Sequence, residues 1–334
     1  MSASGLVLSA HLFTVTIGPN RQSSPLTDFA EIGVTVLKKF LRAAWRKTAR
    51  LKTASIAITA LTALLFVLTA TAPALAAPKT DLWPFWERHS PQSTEQIDHS
   101  PWDHWLKQHI RRGDDGINRI AYAAITPAAH AELQNYINAL QHTDIASYGR
   151  AQQFAYWVNL YNAATVALIL AHYPVESIRN INISPGFFSR GPWDAKLLQV
   201  AGEALSLNDI EHRILRPIWR DPRIHYAVNC ASIGCPNLAA SAYRAERMPE
   251  MLDQAAQDFI NHPRGVRVEA GKLHLSSIYD WYGGDFGATD QEIIAHIRRY
   301  AAPPLAAQLA PITKISDTGY DWRLNDAAIA PENR

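Results

Sequence analysis

The stretch DPRIHYAVNCASIGCPN, residues 221–237, carries more reactive side chains than any other part of this 334-residue chain. It holds both cysteines of the protein, Cys230 and Cys235, downstream of His225. In its first half, apolar residues alternate with His225, Ala227 and Asn229, the period-two pattern of a strand with one apolar face. Small residues with a glycine and a proline follow, and they indicate a tight loop. The sequence therefore predicts a short strand over residues 222–229 and a loop that carries both thiols.

Helical patterns precede this stretch. A helix is predicted after Pro101, and Thr126-Pro127 has the order of an N-cap followed by a first-turn proline. The clearest helix runs from Arg150 to His172, with apolar residues over more than half of its circumference, so it is predicted to be buried. Asn159 and Asn162 lie inside it, and each unpaired buried amide would cost about 1–3 kcal/mol. We expect them to bond to neighbouring loops; alternatively, one faces an active cleft.

Short strands and further helices flank the cysteine stretch. A capping-box pattern at Asn208 and Glu211 predicts a helix start, and that helix is expected to end before Pro217. Two hairpins, two later helices and a terminal strand follow from the same kinds of pattern: 196–200 with 204–206, 266–268 with 273–275, helices over 251–260 and 291–301, and a strand over 314–316. This order predicts an α+β fold, a helix-rich single domain with short antiparallel hairpins.

The N-terminal region has the three parts of an export signal. A basic stretch begins at Phe40, an apolar run covers residues 53–72, and Ala74-Leu-Ala76 forms a small-x-small cleavage site. The alternative is an uncleaved membrane anchor, because the run is long enough to span a bilayer. We therefore predict an extension over residues 1–39, a signal segment over 40–76, a polar lead-in over 77–100 and the folded domain over 101–326. The mature protein is predicted to be exported, periplasmic or secreted.

The charge of the chain argues against nucleic acid as a partner. The whole chain has a formal net charge of +2. Residues 1–76 contain eight Lys or Arg and two Asp or Glu, so the remaining chain has a net charge of −4. No basic patch with interleaved aromatic residues remains, and nucleic acid is not predicted as a partner. A peptide or a cell-envelope component is the predicted partner, and membrane contact is predicted only through an uncleaved signal segment.

Four blocks in the second half resemble the domain-of-unknown-function 547 family. They are YWVNLYNA at 156–163, LSLNDIEH at 205–212, HYAVNCASIGCP at 225–236 and WYGGDF at 281–286. The resemblance covers about residues 145–290 and implies no particular activity. It does imply that one shared constellation contains His225, Asn229, Cys230, Cys235, Asn159, Glu211 and His212.

The first functional hypothesis is an exported thiol enzyme, a hydrolase or acyltransferase similar by analogy to transglutaminases and papain-like proteases. Cys230 is the candidate nucleophile, since a thiol reacts as the thiolate and needs a neighbouring histidine or donor to ionise. On a regular strand His225 would face away from Cys230, so the base is His225 brought round by a bend, or His212. Asn229 and Asn159 are the candidate orienting amides. In those enzyme families the cysteine precedes the histidine, unlike here.

Other readings stay open. Two exported cysteines this close together also predict a Cys230–Cys235 disulfide in a non-catalytic domain. His225 and the two cysteines offer three metal ligands, fewer than the four of a closed zinc site, so no metal and no cofactor is predicted. A binding module is a further reading, in which Phe187, Phe188, Trp193, Trp281 and Tyr282 stack on sugar or peptide. Glu211 and His212 are also candidates for acid and base chemistry, although Glu211 is accounted for as a cap.

Overall fold

The computed structural model describes residues 79–186 and 191–328 of the chain, and helices make up most of its regular structure. The predicted extension and signal segment, residues 1–76, fall outside the described residues, as do Phe187 and Phe188. All described residues belong to one compact unit. The predicted fold class, α+β with short antiparallel hairpins, is confirmed.

Three long helices form the first half of the described chain. They are α1 (Ser100–His109), α2 (Pro127–Gln141) and α3 (Arg150–His172). The Thr126 side chain accepts a hydrogen bond from the Ala129 N–H, which confirms the predicted cap of α2. Helix α3 is long and apolar enough to cross a membrane, but 89% of its most apolar window is buried inside the protein. It is the central core helix, as its apolar circumference predicted.

Seven further α-helices and one π-helix follow α3 in the described residues. They are the π-helix Asp209–Leu215, α4 (Arg216–Trp219), α5 (Ile224–Ala227), α6 (Met248–Ile260), α7 (Ile278–Trp281), α8 (Gly283–Phe286), α9 (Asp290–Tyr300) and α10 (Pro303–Leu309). The predicted helices near residues 251–260 and 291–301 are thus confirmed to within a few residues.

The strands form small sheets at the edges of the helical core. They are β1 (Ile110–Arg112), β2 (Asn118–Ile120), β3 (Leu198–Val200), β4 (Glu203–Leu205), β5 (Val266–Glu269), β6 (Lys272–Ser276) and β7 (Asp317–Gly319). Both predicted hairpins, β3–β4 and β5–β6, are present and antiparallel. The β1–β2 hairpin was not predicted. The terminal strand begins at Asp317 rather than at Lys314, and it joins β6 in parallel.

The predicted strand over residues 222–229 is wrong, because this segment contains the one-turn helix α5. The Asp221 carboxylate accepts the Arg223 N–H at 2.9 Å, and Pro222 lies between them. An Asx turn at an aspartate that precedes a proline favours a change of chain direction rather than a strand, a signal that the apolar alternation obscured. Residues 224–229 are all buried, so the alternation does not separate an inner from an outer face.

The capping box at Asn208 and Glu211 is also wrong, since Asn208 makes no side-chain cap bond. Ser206 and Asp209 form the reciprocal pair: the Asp209 N–H donates to Ser206 Oγ, and the Ser206 N–H donates to Asp209 Oδ2. The helix does not end before Pro217 either, because α4 continues from Arg216. Pro217 is tolerated there because the carbonyls one turn earlier, those of His212 and Arg213, accept the N–H groups of Asp81 and Trp83 instead.

Two hydrophobic clusters make up the core, and α5 lies where they meet. The first cluster surrounds α3 and includes Ile224 and Ala227. The second surrounds β5, β6 and α9 and includes Tyr226. The lead-in packs on the first cluster through Trp86, which contacts Trp157 edge to face. The cysteine loop therefore leaves α5 at the boundary between the two halves of the core.

Candidate functional site

The two cysteines form the first part of the site, which we call the thiol end: Cys230, Ser232, Cys235 and Tyr320. Both cysteines are free thiols in this structure, Cys230 partly exposed and Cys235 buried. The Tyr320 hydroxyl lies 3.1 Å from each sulfur. Cys235 Sγ also accepts the Cys230 N–H at 3.0 Å, and Ser232 Oγ lies 3.2 Å from Cys230 Sγ. The two thiols thus share one hydroxyl and lie side by side.

This arrangement separates the acidities of the two thiols. Burial by itself raises the pKa of Cys235, but hydrogen bonds from Cys230 and Tyr320 outweigh it and lower that pKa to about 7. The hydrogen bond with Cys235, together with burial, raises the pKa of Cys230 well above its ordinary value. Since the groups are coupled, the two steps belong to the pair: one proton leaves near pH 7 and the other is retained.

The second part is the acid–base end: Glu211, Arg216, His225 and Asp285. His225 is buried on α5, and its Nε2 lies 2.7 Å from Asp285 Oδ2. The Arg216 Nε–H donates to the same oxygen at 2.6 Å. On the other side of the ring, Nδ1 lies 3.6 Å from Glu211 Oε1 and has no hydrogen-bond partner among the described residues. One imidazole therefore stands between two carboxylates.

Both carboxylates of this end are ionised. Burial raises the pKa of Glu211, but His212, His225 and Arg216 outweigh it and lower the pKa to about 2. Burial likewise opposes ionisation of Asp285, yet His225 and Arg216 hold its pKa well below the ordinary value. Burial lowers the pKa of His212, whose Nδ1 lies 3.1 Å from Arg216 Nη1.

Two tyrosines lie between the ends. The Tyr161 hydroxyl, from α3, donates to Glu211 Oε2 at 3.1 Å, and the Tyr282 ring stacks on His225 with centroids 3.9 Å apart. Burial and the charges of Glu211 and Cys230 together raise the pKa of both tyrosines, which places both hydroxyls within electrostatic reach of both ends. Glu211 and His212 are positioned by the π-helix, in which the Arg216 N–H donates to the Glu211 carbonyl. Such i→i+5 turns are frequent at functional sites.

The asparagines hold the backbone around the thiols. Asn162 accepts the Asn229 N–H at 2.8 Å and donates to the Ala227 carbonyl at 2.9 Å. Asn229 donates to the Pro236 carbonyl and accepts the Ala231 N–H, so it closes the cysteine loop on itself. Asn159 makes two bonds to the backbone of Tyr243 and lies apart from the thiols in this bonding pattern. The amides of α3 therefore bond to loops, as the first of the two expectations stated.

The structure brings most of the predicted constellation to one place. Cys230, Cys235 and Asn229 share the cysteine loop, while His225, Glu211 and His212 belong to or touch the acid–base end. Within the described residues, however, no hydrogen bond joins Cys230 to His225 or to His212. Sequence reasoning did not identify Asp285, Arg216, Tyr161, Ser232 or Tyr320 as site residues. Asp285 stood within a quoted block, whereas no local pattern marked Tyr320, which lies far along the chain from Cys230.

Two clefts border the site. A cleft of about 470 Å³ has Thr80, Leu82, Arg216 and Asp285 among its lining residues, and it opens onto the acid–base end. A larger cleft of about 1130 Å³, here called the arginine cleft, borders the thiol end through Tyr320 and Gly234. Its further lining residues include Arg119, Arg264, Arg267, Trp322 and Arg323.

An aromatic cluster adjoins the thiol end: Trp193, Trp281, Tyr320 and Trp322, each partly exposed. Trp281 stacks on Trp322 at 5.4 Å, and Tyr320 contacts both rings. Trp193 meets Trp322 edge to face. Two aromatic residues of the predicted binding module, Trp193 and Trp281, are thus joined, whereas Tyr282 stacks on His225 instead. In residues 79–186 and 191–328, no group of three or more His, Cys, Asp or Glu side chains could hold a metal ion.

Comparison with known proteins gives one match. Residues 145–260 match the family model described as "Protein of unknown function, DUF547", which covers α3, the π-helix, the cysteine loop and α6. Asp285 and Tyr320 lie beyond the matched residues. Neither the curated proteins nor the solved structures contain a match to this chain. The match over residues 145–260 thus supports the assignment of this chain to the DUF547 family.

Proposed function

We propose that this protein is an exported thiol-dependent acyl-transfer enzyme, a hydrolase or acyltransferase, with Cys230 as its nucleophile. The observation that carries the proposal is the Tyr320 hydroxyl 3.1 Å from both sulfurs. Two thiols on one hydroxyl share a single proton near neutral pH, and a thiolate is the reactive form of cysteine. Cys230 is the member of the pair that is partly exposed, so it is the sulfur that meets a substrate.

The thiol pair supplies both the nucleophile and the proton. The charge of the pair rests mainly on Cys235, whose pKa is the lower one. When Cys235 takes the proton of Cys230, the Cys230 thiolate attacks the acyl carbon of an ester, thioester or amide and forms an S–C bond. The leaving group departs with its bonding electrons and takes the Cys235 proton. Water or an acceptor amine then attacks the thioester, gives a proton back to Cys235 and releases Cys230 as the thiolate. Cys235 thereby takes the role that the sequence assigned to His225 or His212.

The remaining residues have supporting roles in this proposal. Ser232 and Tyr320 stabilise the thiolate through their hydroxyls, and Asn229 fixes the loop that carries it. The charged acid–base end holds α5 and the π-helix together beneath the loop. Export is supported by the three-part signal over residues 40–76, and it limits the substrate to a peptide or a cell-envelope component outside the cytoplasm.

Alkylation as a function of pH tests the proposal. Iodoacetamide is expected to label Cys230, as mapped by mass spectrometry. The rate should rise through about pH 7, where the pair as a whole loses its first proton, instead of near the ordinary cysteine value of about 8.5. Cys235→Ala should move that rise upward by about one pH unit or more, because the single remaining thiol has no partner that takes the first negative charge, and burial still disfavours its thiolate. Cys230→Ser should lose the label. A rate profile that stays near the ordinary value in the native protein would sink the proposal.

A second candidate is a non-catalytic envelope-binding domain, favoured by one observation: the partly exposed aromatic cluster beside the cysteine loop. Stacked rings of this kind suit a sugar or a peptide. In this reading the cysteines form the predicted structural disulfide. The same experiment separates the two functions, because a bridged Cys230 takes no label until a reductant is added, and the mass of the intact protein then increases.

A further inference from the structure

We propose that the arginine cleft binds a carboxylate group of the substrate, and that Arg264 is the residue that recognises it. The inference deepens the proposed function, on which it rests, by naming the substrate class: an acyl compound that carries an additional negative charge. Arg264 was not among the residues that the sequence singled out.

Arg264 is a partly buried cation without a carboxylate partner. Its Nη1–H donates to the Ile233 carbonyl at 3.0 Å and its Nη2–H donates to Asn237 Oδ1 at 2.7 Å, and both acceptors are neutral. Its Nε is buried and has no hydrogen-bond partner among the described residues. Burial lowers the pKa of Arg264 to about 10. A buried charge that contacts only neutral groups is stabilised when an anion binds beside it.

The other arginines of the cleft are already paired. Arg119 bonds to Asp115, Arg267 to Glu269 and Arg323 to Asp321, each through an ion pair within bonding distance. In the described part of the chain, Arg264 alone among the arginines that line this cleft has no such pair. A carboxylate that enters the cleft therefore gains most by approaching Arg264.

Arg264 contacts the cysteine loop and so lies near the thiols. Ile233 and Asn237, which Arg264 contacts, flank Cys235 on either side. Cys235 lies within electrostatic reach of the guanidinium, as does the carboxylate of Asp115, which forms its ion pair with Arg119. Tyr320 lines the cleft and bonds to both sulfurs. An anionic group held at Arg264 would thus lie close to the reacting thiol, as a substrate-binding group should.

Two reagents of nearly equal size test the inference. Iodoacetate is an anion and iodoacetamide is neutral, and both alkylate the same thiolate. The ratio of their rates at Cys230, at one pH, cancels any change in the amount of thiolate. In Arg264→Gln the iodoacetate-to-iodoacetamide ratio is expected to fall roughly five- to tenfold, the size of one lost charge interaction at short range.

Two variants control the measurement. Arg267→Gln removes a charge from the same cleft but one already paired with Glu269, and it should leave the ratio within about twofold of the native value. Arg264→Lys keeps the charge and should retain most of the preference. Should Arg264→Gln not fold, raising the ionic strength with the native protein and with Arg264→Lys replaces it: the iodoacetate preference must then decline in both.

The experiment distinguishes failure of the carboxylate site from failure of the proposed function. Equal loss of the ratio in Arg264→Gln and Arg267→Gln, or no loss in either, overturns the carboxylate site while the thiol chemistry stands. An unreactive Cys230 with both reagents overturns the proposed function and this inference together.

Discussion

The two ends of the site handle charge in opposite ways. At the acid–base end, Arg216 and two histidines surround Glu211 and Asp285, and the pKa of each carboxylate lies well below its ordinary value. At the thiol end, neutral hydroxyls and a backbone N–H surround the sulfurs, and the pair loses a proton near pH 7. The first end is a fixed ion cluster, whereas the second can change its charge during a reaction. Under the proposed function, the acid–base end has a structural role and the thiol end carries out the chemistry.

The largest expected loss of stability comes from a substitution at the acid–base end. Glu211→Ala leaves His225 and the Tyr161 hydroxyl without their carboxylate, and we expect a loss of about 3–5 kcal/mol in the free energy of unfolding, measured with urea. Because the folded-state pKa of about 2 lies below the unfolded value of 4.5, ionised Glu211 stabilises fully above pH 4.5, and this contribution disappears as the pH falls through about 2.

The matched control is Asp253→Asn, since Asp253 pairs with Arg223 at a partly exposed position. It should cost less than about 1 kcal/mol. If the two variants cost the same, the acid–base end is not a structural cluster, and the contrast between the ends fails.

An intermediate effect is expected where α3 holds the cysteine loop. Asn162→Ala removes the acceptor of the Asn229 N–H and the donor to the Ala227 carbonyl, and both backbone groups are buried. We expect the free energy of unfolding to fall by about 2–4 kcal/mol. Asn138→Ala, at an exposed position of α2, should change it by less than about 0.5 kcal/mol. A negligible cost at Asn162 would mean that the loop is fixed from elsewhere.

Tyr320→Phe is expected to have the smallest effect in free energy, and it is the most informative variant for the thiol end. Tyr320→Phe keeps the ring contacts but removes the hydroxyl shared by both sulfurs, so the first pKa of the thiol pair should rise by about one unit, equivalent to about 1.4 kcal/mol. The pH profile of iodoacetamide labelling at Cys230 measures this shift. Tyr282→Phe, which alters the ring stacked on His225, should leave the profile in place. A shift of equal size in both variants would merge the two ends into one titrating unit.

The local patterns that predicted the helices were reliable because caps and apolar periodicity act within a few residues. Thr126 caps α2, and the apolar circumference of α3 does bury that helix. Residues 222–229 misled because their polar members are buried too: His225 bonds to Asp285 and Asn229 to its own loop. Alternation indicates a strand only when one of the two faces meets water.

Glu211 illustrates an ambiguity that no local rule resolves. The run Ser206-Leu-Asn-Asp-Ile-Glu211 contains two overlapping capping-box patterns, and either could begin the helix. Ser206 and Asp209 form the real one, with Lys196 bonded to the Asp209 carboxylate. Glu211 therefore does not cap the helix. Its carboxylate lies in the core and contacts Tyr161 and His225, which belong to other elements. Only contacts between distant segments decide which pattern is used.

The sequence by itself determined the fold class, the long helices, both hairpins flanking the cysteine loop and the family to which residues 145–260 belong, because each rests on short-range propensity or on quoted motifs. Only the tertiary structure decided which groups surround the thiols. Tyr320 and Arg264 come from segments far along the chain, and burial between two core clusters sets the charge that each group carries. The pKa of each buried group depends on its neighbours in space, and a local sequence pattern does not say which distant residues those neighbours are.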